Sequence, residues 1–194
     1  MLAPVQGPGA RGDVYAAKRA LRAELRASVP PPSPADRERL DADLAHLVLA
    51  LPEVASADVV AAFAGIGNEP STVLPLLTAL APRAVLLPVL LPDDDLAWGT
   101  YEGVLFPWRR GLLVPLVADR TLAEASVVLV PGVAFDASGG RLGRGGGSYD
   151  RALAPSPALR VGLCYDAYVV PAVPMEPHDV RVDVVVTPTR VLRR

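Results

Sequence analysis

The sequence is poor in cysteine and histidine, carries no surplus of basic charge and has no long apolar run. Each shortage excludes something. A single cysteine, Cys164, rules out an intramolecular disulfide and fits a reducing compartment. It lies in the apolar run "LRVGLCY", where a thiol reads as a buried packing group rather than a nucleophile. His178 has no cysteine or second histidine beside it, which makes it a poor zinc ligand and a structural residue by expectation. The net charge of −2 lacks the basic excess of a general nucleic-acid binder, so no nucleic acid is expected as a partner. The most apolar stretch, "AVLLPVLLP", is interrupted by Pro88 and Pro92 and falls far short of the ~20 residues of a membrane span. "MLAPVQGPGARGDVY" lacks an apolar core of signal-peptide length, and residues 1–13 read as a disordered extension. A cytoplasmic protein without a membrane partner is expected.

What is present is the material of one α/β domain. A chain of 194 residues, 51% hydrophobic and 21% charged, supports a single globular unit over residues 14–194. In "VYAAKRALRAELRASV", Ala17, Leu21, Leu25 and Val29 recur at helical spacing, with Lys18, Arg22 and Arg26 on another stripe. A proline run separates this helix from a second one, N-capped at Ser33 with Pro34 and Asp36 in its first turn. The two are expected to form an antiparallel pair. Strands and helices then alternate. "DVVAAF", "AVLLPVL", "DLAWGTY", "ASVVLVP", "RVGLCY" and "VDVVVT" read as strands, and "TVLPLLTALA" reads as a helix despite Pro75. This order predicts a three-layer, doubly wound, mostly parallel sheet with helices on both faces, preceded by the helix pair. Ligands of such sheets bind in loops beyond the carboxyl ends of the strands, which singles out "GIGNEPS" and "PGVAFDASGGRLGRGGGSYD".

The second of these loops has the composition of an anion cradle. Glycines allow backbone N–H groups to converge on one ligand, and Arg141 and Arg144 add full positive charges. Asp150, just inside the helix that starts near Tyr149, can share a magnesium ion with bound phosphates. No Gly-Lys-Ser/Thr follows, so this is not a Walker loop. A dinucleotide fingerprint is the alternative, with Gly143 and Gly145 as G-x-G and Asp166 as the ribose acid. Against it, Ser148 holds the third glycine position and the glycines begin well past the strand end.

Read whole, "VVLVPGVAFDASGGRLGRGGGSYDRAL" resembles the signature of the 5-formyltetrahydrofolate cyclo-ligase family. The helix carrying Lys18 and Arg22 is similar to that family's ATP-contacting helix, "GNEPSTVLPLL" to its folate-side loop, and "VPMEPHDVRVDVVVT" to its C-terminal metal-assisting element. The chain departs from the family pattern at Ser148, where a second tyrosine is usual, and at Val114, where "GLLVP" replaces a segment carrying an acid. Arg144 stands where many bacterial relatives carry tyrosine.

The resemblance implies ATP-dependent closure of 5-formyltetrahydrofolate, with or without a polyglutamate tail, to 5,10-methenyltetrahydrofolate by a monomeric enzyme. It implies ATP contacts from Lys18, Arg22, Arg141, Leu142, Gly143, Arg144, Gly145, Gly146, Gly147, Ser148 and Tyr149. It implies folate contacts from Ala64, Glu69, Arg144, Ser148 and Tyr149, catalytic roles for Arg144 and Tyr149, and Mg²⁺ on Asp150 and Asp179. From the residues alone other roles stay open. Lys18 and Arg22 also suit a solvated helix stripe, Glu69 a helix cap, Asp150 a first-turn acid and Asp179 a turn. Trp98 and Trp108 suit either the pocket or the sheet edge. A family paralogue acting on another substrate keeps the same nucleotide loop.

Overall fold

The computed structural model describes residues 8–194. The chain runs through helices α1 (Pro8–Ser28), α2 (Pro34–Leu49) and the short α3 (Pro52–Ala55) to strand β1 (Val59–Ala61). A π-helical turn, Val73–Leu77, continues into α4 (Thr78–Leu80), followed by β2 (Ala84–Leu90) and β3 (Leu96–Thr100). Two small hairpins come next, β4 (Phe106–Pro107) with β5 (Leu113–Val114), and, after β6 (Val127–Pro131), β7 (Ala134–Phe135) with β8 (Arg141–Leu142). Helix α5 (Ser148–Leu153) and strands β9 (Leu159–Leu163), β10 (Val184–Val186) and β11 (Val191–Arg193) complete the chain.

Seven strands form one sheet in the order β11-β10-β9-β6-β1-β2-β3. The central five are parallel and the rim strands β3 and β11 antiparallel. Numbered along the chain, the parallel strands lie 2-1-3-4-5, so the winding reverses between β1 and β6, where Val60 pairs with Val127 and Ala61 with Val128. Connections leave β1 and β6 in opposite directions there and open a crevice.

Alternation along the strands divides the core in two. Val60, Val127, Leu129, Val161 and Val184 face one side with Leu44 and Val48 of α2 and Leu80 of α4. Ala61, Leu86, Val128, Val130 and Val185 face the other with Leu25 of α1, Leu153 of α5, Phe135 and Tyr165. Leu21 of α1 and Leu40 of α2 also pack against that second cluster, so the N-terminal helix pair contributes to both halves of the core. The predicted three layers are present.

Details differ from the expectation for local reasons. The first helix begins at Pro8, a residue whose fixed φ suits a helix start, and residues 1–7 of the expected extension lie outside the described residues. Pro75 has no N–H to give, and the segment around it widens: the Leu77 N–H reaches back five residues to the Thr72 carbonyl at 2.8 Å. Cys164 is buried as expected, and burial pushes its thiol up to about 12. No described helix is long and apolar enough to cross a membrane.

Candidate active site

A cavity of about 570 Å³ opens at the crevice. Phe63, Ala64 and Ile66 enter it beyond β1, and Pro131 and Gly132 at the end of β6. The glycine loop Gly143–Gly147, with Ser148, Tyr149 and Asp150 of α5, forms one wall, and Lys18 and Arg22 reach in from α1. Every expected site residue lines this cavity except Leu142. The Leu142 side chain is fully buried in the core and its carbonyl accepts the Val133 N–H at 2.7 Å, which leaves its backbone as the part that adjoins the glycine loop.

The loop is anchored by Asp136, a residue the sequence did not single out. It is 4% exposed and sits in the β7–β8 hairpin. Its Oδ1 accepts the Ser138 N–H (2.8 Å), the Ser138 hydroxyl (2.7 Å) and the Gly140 N–H (2.9 Å), and its Oδ2 accepts the Val173 N–H at 2.7 Å. Burial works to raise its pKa, but these bonds outweigh it and hold the carboxyl below the usual carboxylate value. From this hairpin β8 delivers Arg141. Beyond it, Gly145 (φ 110°) and Gly147 (φ 69°) take the left-handed backbone that lets the loop turn into α5.

The arginines are already engaged. The Arg22 Nε donates to the Gly143 carbonyl at 2.7 Å. Arg141 pairs with Asp150 at 2.7 Å and lies over the Tyr149 ring at 5.8 Å. The second oxygen of Asp150 accepts the Val180 N–H at 3.1 Å. Tyr149 meets Trp98 edge to face, centroids 6.4 Å apart, and its hydroxyl has no partner among the described residues. Burial, helped by the Glu69 charge, raises the Tyr149 pKa and keeps the phenol neutral. Trp98 therefore belongs to the buried floor beneath the cavity, whereas Trp108 is exposed and donates its indole N–H to the Leu90 carbonyl at 3.0 Å.

Lys18 is no solvated stripe residue: it is 8% exposed, with Nζ 2.9 Å from Glu176 Oε2 and 2.5 Å from Asp179 Oδ2. The His178 Nε2 lies 3.9 Å and 3.8 Å from the same two carboxylates, placing a residue read as structural within the site. Donor atoms of Glu176, His178 and Asp179 all fall within 4.8 Å of one another. Asp150 stands apart from that trio, held by Arg141.

On the opposite wall Glu69 is 6% exposed and does not cap a helix. Its Oε2 accepts the Ile66 N–H (3.0 Å), and its Oε1 receives the Arg144 Nε at 2.9 Å, while Arg144 also donates to the Ile66 carbonyl at 2.7 Å. Gly65 permits this tight turn, since a Cβ there would lie 1.9 Å from the Pro70 carbonyl oxygen. Val114, where an acid was looked for, is buried in β5. Besides Asp136 and Glu176, sequence reasoning missed Arg110, which lines the cavity from the β4–β5 turn and pairs with Asp94 at 3.1 Å. Asp166 accepts hydroxyls from Thr187 (2.8 Å) and Thr189 (2.6 Å) and is not among the cavity-lining residues, which removes the ribose acid of the dinucleotide alternative.

A crevice at the winding reversal, a cationic glycine loop and an acidic corner share one cavity, the place where α/β enzymes of this winding bind their small-molecule ligands. The model of the 5-formyltetrahydrofolate cyclo-ligase family matches residues 14–188, and the chain belongs to that family. It is accordingly a ligase of folate one-carbon metabolism. The 5-formyltetrahydrofolate cyclo-ligase of Mycolicibacterium smegmatis is 40% identical over 147 residues, covering 70% of this chain and 76% of that protein. The Escherichia coli enzyme of the same name is 33% identical over 171 residues, 82% of this chain and 93% of its own. The NMR structure of Aquifex aeolicus 5,10-methenyltetrahydrofolate synthetase superposes with a TM-score of 0.80 at 28% identity, covering 91% of this chain and 92% of that one.

Proposed function

We propose that this chain converts 5-formyltetrahydrofolate and MgATP into 5,10-methenyltetrahydrofolate, ADP and phosphate. The observation that carries the reading is that Arg144 joins the glycine loop to the Glu69 turn across a single cavity. A phosphate chain on the loop and a folate against Glu69 therefore meet at Tyr149.

The N5-formyl group is an amide, and its oxygen leaves poorly. Attack of that oxygen on the γ-phosphorus breaks the bond to ADP and makes the oxygen part of a phosphate. The N10 lone pair then attacks the formyl carbon, the C–O bond breaks toward phosphate, and N10 loses its proton as the ring closes. Positioning and charge neutralisation dominate catalysis of such a transfer. Backbone N–H groups of Gly143–Gly147 and the guanidiniums of Arg141 and Arg144 take the phosphates, with Lys18 and Arg22 approaching from α1. Ala64, Glu69 and Ser148 border the folate, and the neutral Tyr149, its ring between Trp98 and Arg141, shapes the meeting point. Asp179 and Glu176 would hold Mg²⁺, their oxygen donors suiting a hard cation, while Asp150, the other residue proposed for the ion, lines the same cavity in its pair with Arg141. When bound, the ion supplies neutralisation of the phosphate oxygens.

The same reading has residues 14–194 acting as one monomeric catalytic domain in the cytoplasm, accepting folates with or without a polyglutamate tail. An absorbance assay for methenyltetrahydrofolate tests it. Product forming from 5-formyltetrahydrofolate only when MgATP is present is the expected result; no product with MgATP would refute it.

A further inference from the structure

The acidic corner of the cavity is out of keeping with its surroundings. Arg22, Arg110, Arg141 and Arg144 line the walls, yet Glu176 and Asp179 share one lysine. Side-chain exposures of 9% for Lys18, 15% for Glu176 and 8% for Asp179 place all three largely out of water. Two carboxylates share the one ammonium within hydrogen-bond distance, with the His178 Nε2 farther off at 3.9 Å and 3.8 Å, so the pair is negatively charged enough to take a second cation. The turn is built for this arrangement: Asp179 Oδ2 accepts the Glu176 N–H at 2.5 Å, which sets both carboxylates on the same side of Lys18. Lysine suits a temporary occupant, because its compact charge rides on a flexible stem and can be redirected without moving the helix.

We propose that Glu176 is a positioning residue for the nucleotide side of the reaction, holding Lys18 in the seat that a divalent cation takes. Entry of the cation between Glu176 and Asp179 and release of Lys18 toward the phosphates are then a single exchange. This rests on the MgATP reading above. Lys18 cannot stay within hydrogen-bond distance of both carboxylates while the same oxygens ligate a dication, since like charges so close repel strongly. Glu176 thus sets two things at once: where Lys18 waits and how tightly the cation is taken.

The test is Mn²⁺ binding to the full chain without nucleotide or folate, read by electron paramagnetic resonance of the free ion. Lys18→Met should tighten Mn²⁺ binding roughly tenfold or more, because the competing cation is gone. Glu176→Gln should weaken it by a similar factor, with Glu176→Asp between that variant and the wild type. Lys18→Arg keeps the competing charge and should bind no tighter than wild type, which separates the exchange from a general loosening of the fold. An ion pair with a purely structural role predicts no gain in Lys18→Met. Unchanged Mn²⁺ affinity in either Lys18→Met or Glu176→Gln overturns the proposal. Because no turnover is read, failure of the cyclo-ligase assay leaves this result standing, and the converse holds.

Discussion

Replacing Asp136 by asparagine tests whether one buried carboxylate organises the phosphate loop. The carboxylate accepts four hydrogen bonds, three on Oδ1 and one on Oδ2, from Ser138, Gly140 and Val173. An amide offers one oxygen. With that oxygen in the Oδ1 position, the new NH₂ points at the Val173 N–H, so one charge-assisted bond is lost and two donors face each other. A hydrogen bond to a charged group contributes ~1.5–3 kcal/mol, and a donor left buried adds to the loss, giving roughly 2–4 kcal/mol in all. A domain of this size shifts by about 2–4 °C per kcal/mol, so the thermal midpoint should fall by roughly 5–15 °C at neutral pH. The pH dependence gives a second check. Folded Asp136 titrates below the unfolded carboxyl, near ~3.9, so its contribution is complete above that pH and is lost as pH falls through the folded pKa. The difference between wild type and Asp136→Asn should therefore shrink below about pH 4. Circular-dichroism melts at pH 7 and at successively lower pH measure both. A midpoint within ~1 °C of wild type at pH 7 would refute the argument, because it would mean that the four bonds contribute nothing net.

Asp41 should behave in the opposite sense. Burial, ahead of its hydrogen bonds from the Tyr165 hydroxyl (2.6 Å) and the Ser71 N–H (3.1 Å), raises its pKa, so the stability it contributes is present below the unfolded pKa and lost as pH rises through the folded one. Asp41→Asn, whose oxygen accepts the same two donors, should melt at or above the wild-type midpoint at pH 7; a loss of more than ~5 °C would contradict this. Glu69→Gln removes the charge that Arg144 now meets and should raise the KM for 5-formyltetrahydrofolate roughly tenfold while moving that for ATP less. The reverse order would move Glu69 to the nucleotide side.

The sheet was legible because its central strands are buried on both faces and read as unbroken runs of valine and leucine, as in "VVLVP" and "VDVVVT". Their order across the sheet is set by crossovers that no local pattern records. The two-residue strands of β4–β5 and β7–β8 carry too few positions to show a period, and they escaped notice for that reason. Pro75 was correctly placed in a helical segment, but the widened turn it forces depends on where the Leu77 N–H finds an acceptor. Likewise the glycine loop announces itself in composition, whereas Asp136, which holds it, looks like any loop aspartate until its four donors are brought together.

The same contrast explains what was missed in the site. Arg141, Arg144 and Asp150 lie within one short segment and could be read together. Glu176 could not, because its meaning comes from Lys18, 158 residues earlier in the chain. Once the partners are known, most charges lining the cavity are seen in ion pairs: Lys18 against Glu176 and Asp179, Arg141 against Asp150, Arg144 against Glu69 and Arg110 against Asp94. Apart from Arg22, which donates to the Gly143 carbonyl, the cations that a phosphate chain would meet on the proposed reading are already paired, and it would compete with these carboxylates for them. Binding is therefore favourable only where the carboxylates gain something in exchange, and each wall supplies a different answer. At Glu69, on the proposed reading, the replacement would be polar edges of the second substrate. At Glu176 and Asp179, on that reading, it would be a dication arriving with the phosphates. Pairing among these side chains would thus link occupation of the phosphate loop to the arrival of both companions.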